Sequence, residues 1–142
     1  MYIMFEKENH AWGVKREIEC LPYIKEILGQ DVIHDIGTFN DFDFFTDYYN
    51  IELKSRTISR DCFDTTYTTP IKREKANKSN KPVIWLFSFT DGMYYLHFQE
   101  YKEIINKLEV EVCNTRYGQR RNINIPVSIL KPFDKNYFRV YI

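Results

Sequence analysis

Cysteine is scarce in this chain of 142 residues: Cys20, Cys62 and Cys113 are the whole complement, far apart and without C-x-x-C spacing. Such usage argues against a disulfide or zinc framework and points to a reducing compartment, cytoplasmic or nuclear. Histidine is equally sparse. His10, His34 and His97 stand alone, with no H-E-x-x-H, paired-His or Ser-His-Asp spacing, and the five glycines form no phosphate-cradling loop. No apolar run approaches the ~20 residues that span a bilayer, so no membrane contact is expected. The apolar start Met1–Phe5 is cut short by Glu6-Lys7-Glu8-Asn9-His10, which is not the pattern of a secretory leader. Alanine is rare while Ile, Lys, Asn, Tyr and Phe abound, a bias that suits an AT-rich viral or phage genome.

What is present fits an ordinary globule, 44% hydrophobic and 28% charged, expected to form one domain over residues 1–142. Trp12 to Leu28 carries helical apolar spacing stopped by Gly29, with Pro22 expected to split it into two short helices. Strands are expected over Val32–Thr38, Asp41–Phe45 and Tyr49–Arg56 and a loop over Thr57–Thr68. Thr69-Pro70 opens a helix running to about Lys78, Thr as its cap and Pro at its first position. Pro82–Phe89 is a continuous apolar run, typical of a buried central strand. Thr90-Asp91-Gly92 turns it back into Met93–Phe98. A helix over Glu100–Leu108 follows, then short strands near Glu109–Cys113, Asn122–Ile125 and Tyr137–Ile142. This order predicts an α/β or α+β fold.

Net charge is zero, but its distribution is uneven. Up to Leu53, Asp and Glu far outnumber Lys and Arg. From Lys54 to Lys81 the balance reverses, with Lys54, Arg56, Arg60, Lys72, Arg73, Lys75, Lys78 and Lys81 against Asp61, Asp64 and Glu74. Arg116, Arg120 and Arg121 form a second basic group. An acidic half beside basic segments suits a site that holds a cation and a phosphate together.

The acidic half ends in Tyr49-Asn50-Ile51-Glu52-Leu53-Lys54. On a strand, Ile51 and Leu53 face a core while Glu52 and Lys54 share the other face. A turn near Thr46-Asp47-Tyr48 folds Asp41-Phe42-Asp43-Phe44-Phe45 back onto it. A two-residue turn places Asp41 opposite Glu52, and a four-residue turn places Asp43 there; either even length puts both aspartates on the face of Glu52. A three-residue turn aims both away. Asp43, flanked by Phe42 and Phe44, is the preferred partner and Asp41 the reserve. A second E-x-K, Glu100-Tyr101-Lys102, serves as a control. It falls on a helix pattern, where positions i and i+2 do not share a face, and has no acidic strand before it.

Asp43, then nine residues on Glu52-Leu53-Lys54, followed by Ser55-Arg56, resembles the PD-(D/E)XK nuclease superfamily. Gly13-x-x-x-Glu17 is similar to the helix glutamate of archaeal-type Holliday-junction resolvases and of small phage and viral nucleases. The resemblance spans Trp12 to Phe89, about half the chain. Phe42 stands where the family's proline precedes the aspartate, and no Q-x-x-x-Y of the exonuclease branch follows.

The resemblance implies a restriction-endonuclease-like fold, a mixed central sheet flanked by helices. It implies an endonuclease acting on DNA with Mg²⁺ or Mn²⁺, branched or junction DNA being a candidate substrate and a homodimer a candidate assembly. Asp43, Glu52, the backbone carbonyl of Leu53 and Glu17 would hold the metal. Lys54, kept charged by nearby carboxylates, would orient the attacking water. Arg56, Lys72, Lys75, Arg120 and Arg121 would grip DNA. The alternative is a catalytically silent nucleic-acid-binding or assembly module on the same fold; a third reading is a structural domain whose charged hairpin bridges to a partner.

Overall fold

The computed structural model describes residues 2–37 and 40–141, with side chains in the first helix from residue 10 onward. Helix α1 runs Tyr2–Leu28 and is followed by two short strands, β1 (Ile33–His34) and β2 (Phe44–Phe45), and then by β3 (Asn50–Ser55). A 3-10 turn over Arg60–Cys62 and strand β4 (Thr65–Thr68) lead to α2 (Pro70–Lys78). Then come β5 (Val83–Phe89), β6 (Gly92–His97), α3 (Phe98–Lys107), β7 (Glu111–Thr115), β8 (Gly118–Pro126) and β9 (Lys131–Pro132). A six-stranded sheet has the order β1-β2-β3-β5-β6-β9, and a three-stranded sheet the order β4-β8-β7. Among the described residues only β3 and β5 pair in parallel, so the larger sheet is mixed and the class is α/β, as the element order predicts. A parallel pair needs a long crossover; here β4 and α2 supply it.

All of β5 is buried, because both faces of the sheet are covered. On one face α1 packs Cys20 and Ile24 over Ile51, Leu53, Ile84 and Leu86. On the other, α2, α3 and β8 place Ala76, Ile105, Ile123 and Ile125 over Trp85, Phe87 and Phe89. Burying each such large side chain contributes about 1.5–3 kcal/mol. The alternation expected for β3 holds: Ile51 and Leu53 belong to the α1 core, and Glu52 and Lys54 face the α2 side. Thr69 caps α2, its hydroxyl accepting from the Lys72 N–H at 3.4 Å, with Pro70 at the first position.

Several boundaries differ from expectation. The first helix begins at Tyr2 and continues unbroken past Pro22, so Gly13 and Glu17 lie within it and not at its start. Pro22 is exposed and its turn is anchored by fully buried Ile24, so packing outweighs the lost backbone bond. The strands expected over Val32–Thr38 and Asp41–Phe45 shrink to two residues each, and Thr38 lies outside the described residues. The expected loop Thr57–Thr68 contains β4, whose threonines pair with β8. Tyr137–Tyr141 is irregular, with Ile142 outside the described residues. Its Phe138 packs against Tyr95 and Phe133, and the Tyr141 N–H donates to the Tyr49 hydroxyl. The sheet edge is instead β9, where Pro132 blunts further pairing.

The reversal between β2 and β3 takes the four-residue form. Phe45 pairs with Asn50 and Phe44 with Ile51. The Thr46 N–H donates to the Tyr49 carbonyl at 2.9 Å, and the buried Thr46 hydroxyl accepts from the N–H groups of Tyr48 and Tyr49 at 3.1 and 3.0 Å. Thr46→Val keeps the shape and removes that acceptor. It is expected to cost about 1–3 kcal/mol in urea unfolding; a variant as stable as the parent would show that the turn holds without the hydroxyl.

Candidate active site

Even-numbered residues of β3 direct their backbone toward β5: the Asn50 N–H donates to Pro82 O at 3.0 Å and the Arg56 N–H to Ser88 O at 2.7 Å. Odd-numbered residues therefore turn toward β2. Strand β2 stops at Phe44, so the Leu53 N–H has no strand beside it. The Asp43 carboxylate takes the vacant place, Oδ2 accepting from the Leu53 N–H at 2.8 Å, while its own N–H donates to Ile51 O at 3.0 Å. An aspartate side chain thus prolongs the ladder past the end of its strand, and this holds the carboxylate beside Glu52. By the same alternation the Leu53 carbonyl is directed to this edge.

Glu52 is 4% exposed. Its Oε1 lies 2.7 Å from Lys72 Nζ and 3.9 Å from Lys54 Nζ, and its Oε2 is buried without a hydrogen-bond partner. Beside it on the same face is Trp85, whose Nε1 is also unpaired. Burial, and then repulsion from Asp43, push the Glu52 pKa up to about 7 against the pull of both lysines. Burial works against the Lys72 ammonium too, but Glu52, Asp43 and Glu17 outweigh it and its pKa is raised. For Lys54 burial wins: its pKa is lowered, Lys72 and Arg56 adding to the effect and Glu52 and Asp43 opposing it. The carboxylates favour the Lys54 ammonium as expected, and burial opposes them.

Glu17 comes from α1, on the opposite face of the sheet, at the side where β1 and β2 are only two residues long. Its Oε1 is 2.8 Å from His34 Nε2, and His34 stacks on Phe44. Burial and then Asp43 raise the Glu17 pKa, with His34 and His10 opposing. Asp43 thus repels both Glu17 and Glu52. Asp41, the reserve partner, is not one of the three. Its side chain is 76% exposed and meets Lys75 at 3.9 Å, and Lys75 also reaches Asn40 O at 3.5 Å.

The basic residues divide into two groups. Lys72, expected to grip DNA, is bound to Glu52. Arg56 and Arg120 converge on Tyr67, away from that pair: the Arg56 guanidinium lies 4.2 Å from the ring centroid, and Arg120 donates to the Tyr67 hydroxyl at 3.2 Å. Arg121 is exposed on β8. Sequence reasoning missed His34 as the partner of Glu17, and Trp12 and Tyr67 as residues lining one cleft with Lys54. No local signal marks these pairings, which join residues far apart in the chain.

The donor set suits a hard divalent cation. Carboxylate and carbonyl oxygens are the ligands Mg²⁺ and Mn²⁺ take, the unpaired Glu52 Oε2 lacks a partner, and the Lys72 ammonium already supplies positive charge at the other oxygen. Among the described residues no three His, Cys, Asp or Glu side chains form a ready-made cage.

Glu52 holds its proton more tightly in the folded chain than at the ordinary value of 4.5. Between about pH 4.5 and 7 the native state binds more protons than the unfolded one, so stability falls as pH rises through that window. Metal-free protein is expected to lose on the order of 3 kcal/mol across it, Glu17 adding to the slope, and Glu52→Gln to flatten it. Urea titrations over this range check the expectation; identical slopes in both proteins would refute it. Comparison with family models, with curated proteins and with solved structures found no match to this chain, so its function is argued from this geometry.

Proposed function

We propose that the chain is a metal-dependent endonuclease of PD-(D/E)XK type that hydrolyses DNA phosphodiester bonds, branched or junction DNA included. The observation that carries the reading is a carboxylate taken out of water with one oxygen unpaired among the described residues, repelled by Asp43 and flanked by two ammonium groups. Burying an ion costs several kcal/mol, and a well-packed apolar residue would serve stability as well or better. Perturbed groups of this kind cluster at reactive sites.

Asp43, Glu52 and the Leu53 carbonyl would hold Mg²⁺ or Mn²⁺, with Glu17 joining directly or through water. A cation bound there supplies a more acidic water and polarises the phosphate. Lys54 would orient the attacking water and stabilise the charge that builds on the phosphate oxygens. Its lowered pKa lets it share a proton more readily than an ordinary lysine. Lys72 neutralises Glu52 and is placed to draw a non-bridging phosphate oxygen toward the pair. The water oxygen bonds to phosphorus, one ester P–O bond breaks, and the departing oxygen takes up a proton.

One observation favours a second reading, a catalytically silent nucleic-acid-binding or assembly module: Lys72 already satisfies one Glu52 oxygen at 2.7 Å. Incubation of the protein with supercoiled, linear and four-way-junction DNA separates the two. With Mg²⁺ or Mn²⁺ the parent is expected to cleave, and Glu52→Gln and Lys54→Ala to lose about 10²-fold or more in rate. DNA binding without cleavage by the parent would select the silent module, and equal cleavage by parent and variants would remove the catalytic roles.

A further inference from the structure

At the carboxyl end of β3, with Lys54 in its wall, lies a cleft of about 460 Å³. Lys54, Arg56, Tyr67 and Arg120 line it together with Trp12 and Gly13 of α1. We propose that this cleft receives one unpaired nucleotide of a nucleic-acid strand, the one adjacent to the phosphate held at Lys54. The proposal deepens the nuclease reading and rests on it for the identity of that phosphate; strand binding itself does not require cleavage.

Three observations point to such a ligand. The first is charge without compensation. Neither Arg56 nor Arg120 meets a carboxylate among the described residues. Both are held in place by uncharged groups: Arg56 donates to the Thr66 hydroxyl at 3.2 Å and to the Tyr67 carbonyl, and both guanidinium groups lie against the Tyr67 ring. Fixed guanidinium planes with free charge bind phosphate and stack on bases.

The second is an open aromatic plane. Trp12 is 42% exposed, and none of the ring or cation–ring pairs among the described residues involves it. A base can use such a plane only when it is out of the duplex stack. The cleft has the size of a small-ligand pocket, which admits a nucleotide and not a duplex.

The third is Gly13. Glycine weakens a helix interior, and no fold constraint requires it here. Its φ is not positive, and a Cβ placed on it would meet nothing within 4 Å. The protein leaves this stretch of helix bare where it faces the cleft, which allows a ligand to approach the backbone closely.

The test is fluorescence anisotropy with labelled single-stranded DNA, a blunt duplex of the same sequence, and thymidine monophosphate as competitor, in Ca²⁺ to prevent turnover. Quenching of tryptophan emission reports on Trp12 directly, because the other tryptophan, Trp85, is buried. The single strand is expected to bind more tightly than the blunt duplex and to quench emission. Trp12→Ala should weaken single-strand binding about tenfold and Trp12→Phe should restore most of it. Gly13→Leu should raise the melting temperature while weakening single-strand binding, an outcome that misfolding cannot produce. Equal affinity for both DNAs with no effect of Trp12→Ala would overturn the subsite, as would monophosphate binding as tight as the strand. Cleavage assays on the same variants keep the two proposals apart. A subsite failure leaves metal-dependent nicking intact. Failure of the nuclease reading leaves strand preference without cleavage.

Discussion

A buried carboxylate organises this structure. Glu52 sits on the central sheet with almost no contact with water, and its charge can be kept only by positive groups brought to it from elsewhere. Lys54 follows it on the same strand, and Lys72 arrives from α2, which the crossover between the two parallel strands lays across this face. The docking of α2 thereby eases the ionised state of Glu52, which burial still disfavours. Asp43 raises the energy of that state, since it stands beside Glu52 to complete the backbone ladder at Leu53. The two carboxylates oppose each other, and the two lysines only partly offset the repulsion.

Short outer strands make the arrangement accessible. Had β1 and β2 run the length of β3, the sheet would have separated Glu17, on the α1 side, from Asp43 and Glu52. With two residues in each, the sheet leaves a side around which Glu17 approaches, its ring partner His34 stacked on Phe44. The field of Asp43 is felt by Glu17 and Glu52 alike. Groups from both faces of one sheet thus share an electrostatic environment.

The positive charges serve two distances. Lys54 and Lys72 are close enough to Glu52 for their proton affinities to be set by it. Arg56 stands just past the end of β3 and Arg120 across on β8, where Tyr67 holds them as flat planes. Lys75 is taken up by Asp41 and Asn40, and Arg73 caps the carbonyls of Ile105 and Leu108 at the end of α3, a role in packing. Among the described residues no helix is long and apolar enough to cross a membrane.

Local pattern carried much of this into the sequence. The alternation Ile51, Glu52, Leu53, Lys54 already sorted apolar from charged side chains, because a strand has a period of two whatever it packs against. The apolar run Pro82–Phe89 identified the central strand, and Thr69-Pro70 the start of α2, for equally local reasons. Parity of the turn restricted the aspartate to position 41 or 43. The choice between them depended on turn length, which the Thr46 hydroxyl and long-range pairing decide together. The continuity of α1 through Pro22 was likewise settled by burial of Ile24, and the partnerships of Lys72 with Glu52, Glu17 with His34 and Arg120 with Tyr67 by the packing of distant segments. Periodicity is a property of neighbouring residues and can be read from them. Which charges meet is decided by how helices and sheets stack, and that depends on the chain as a whole.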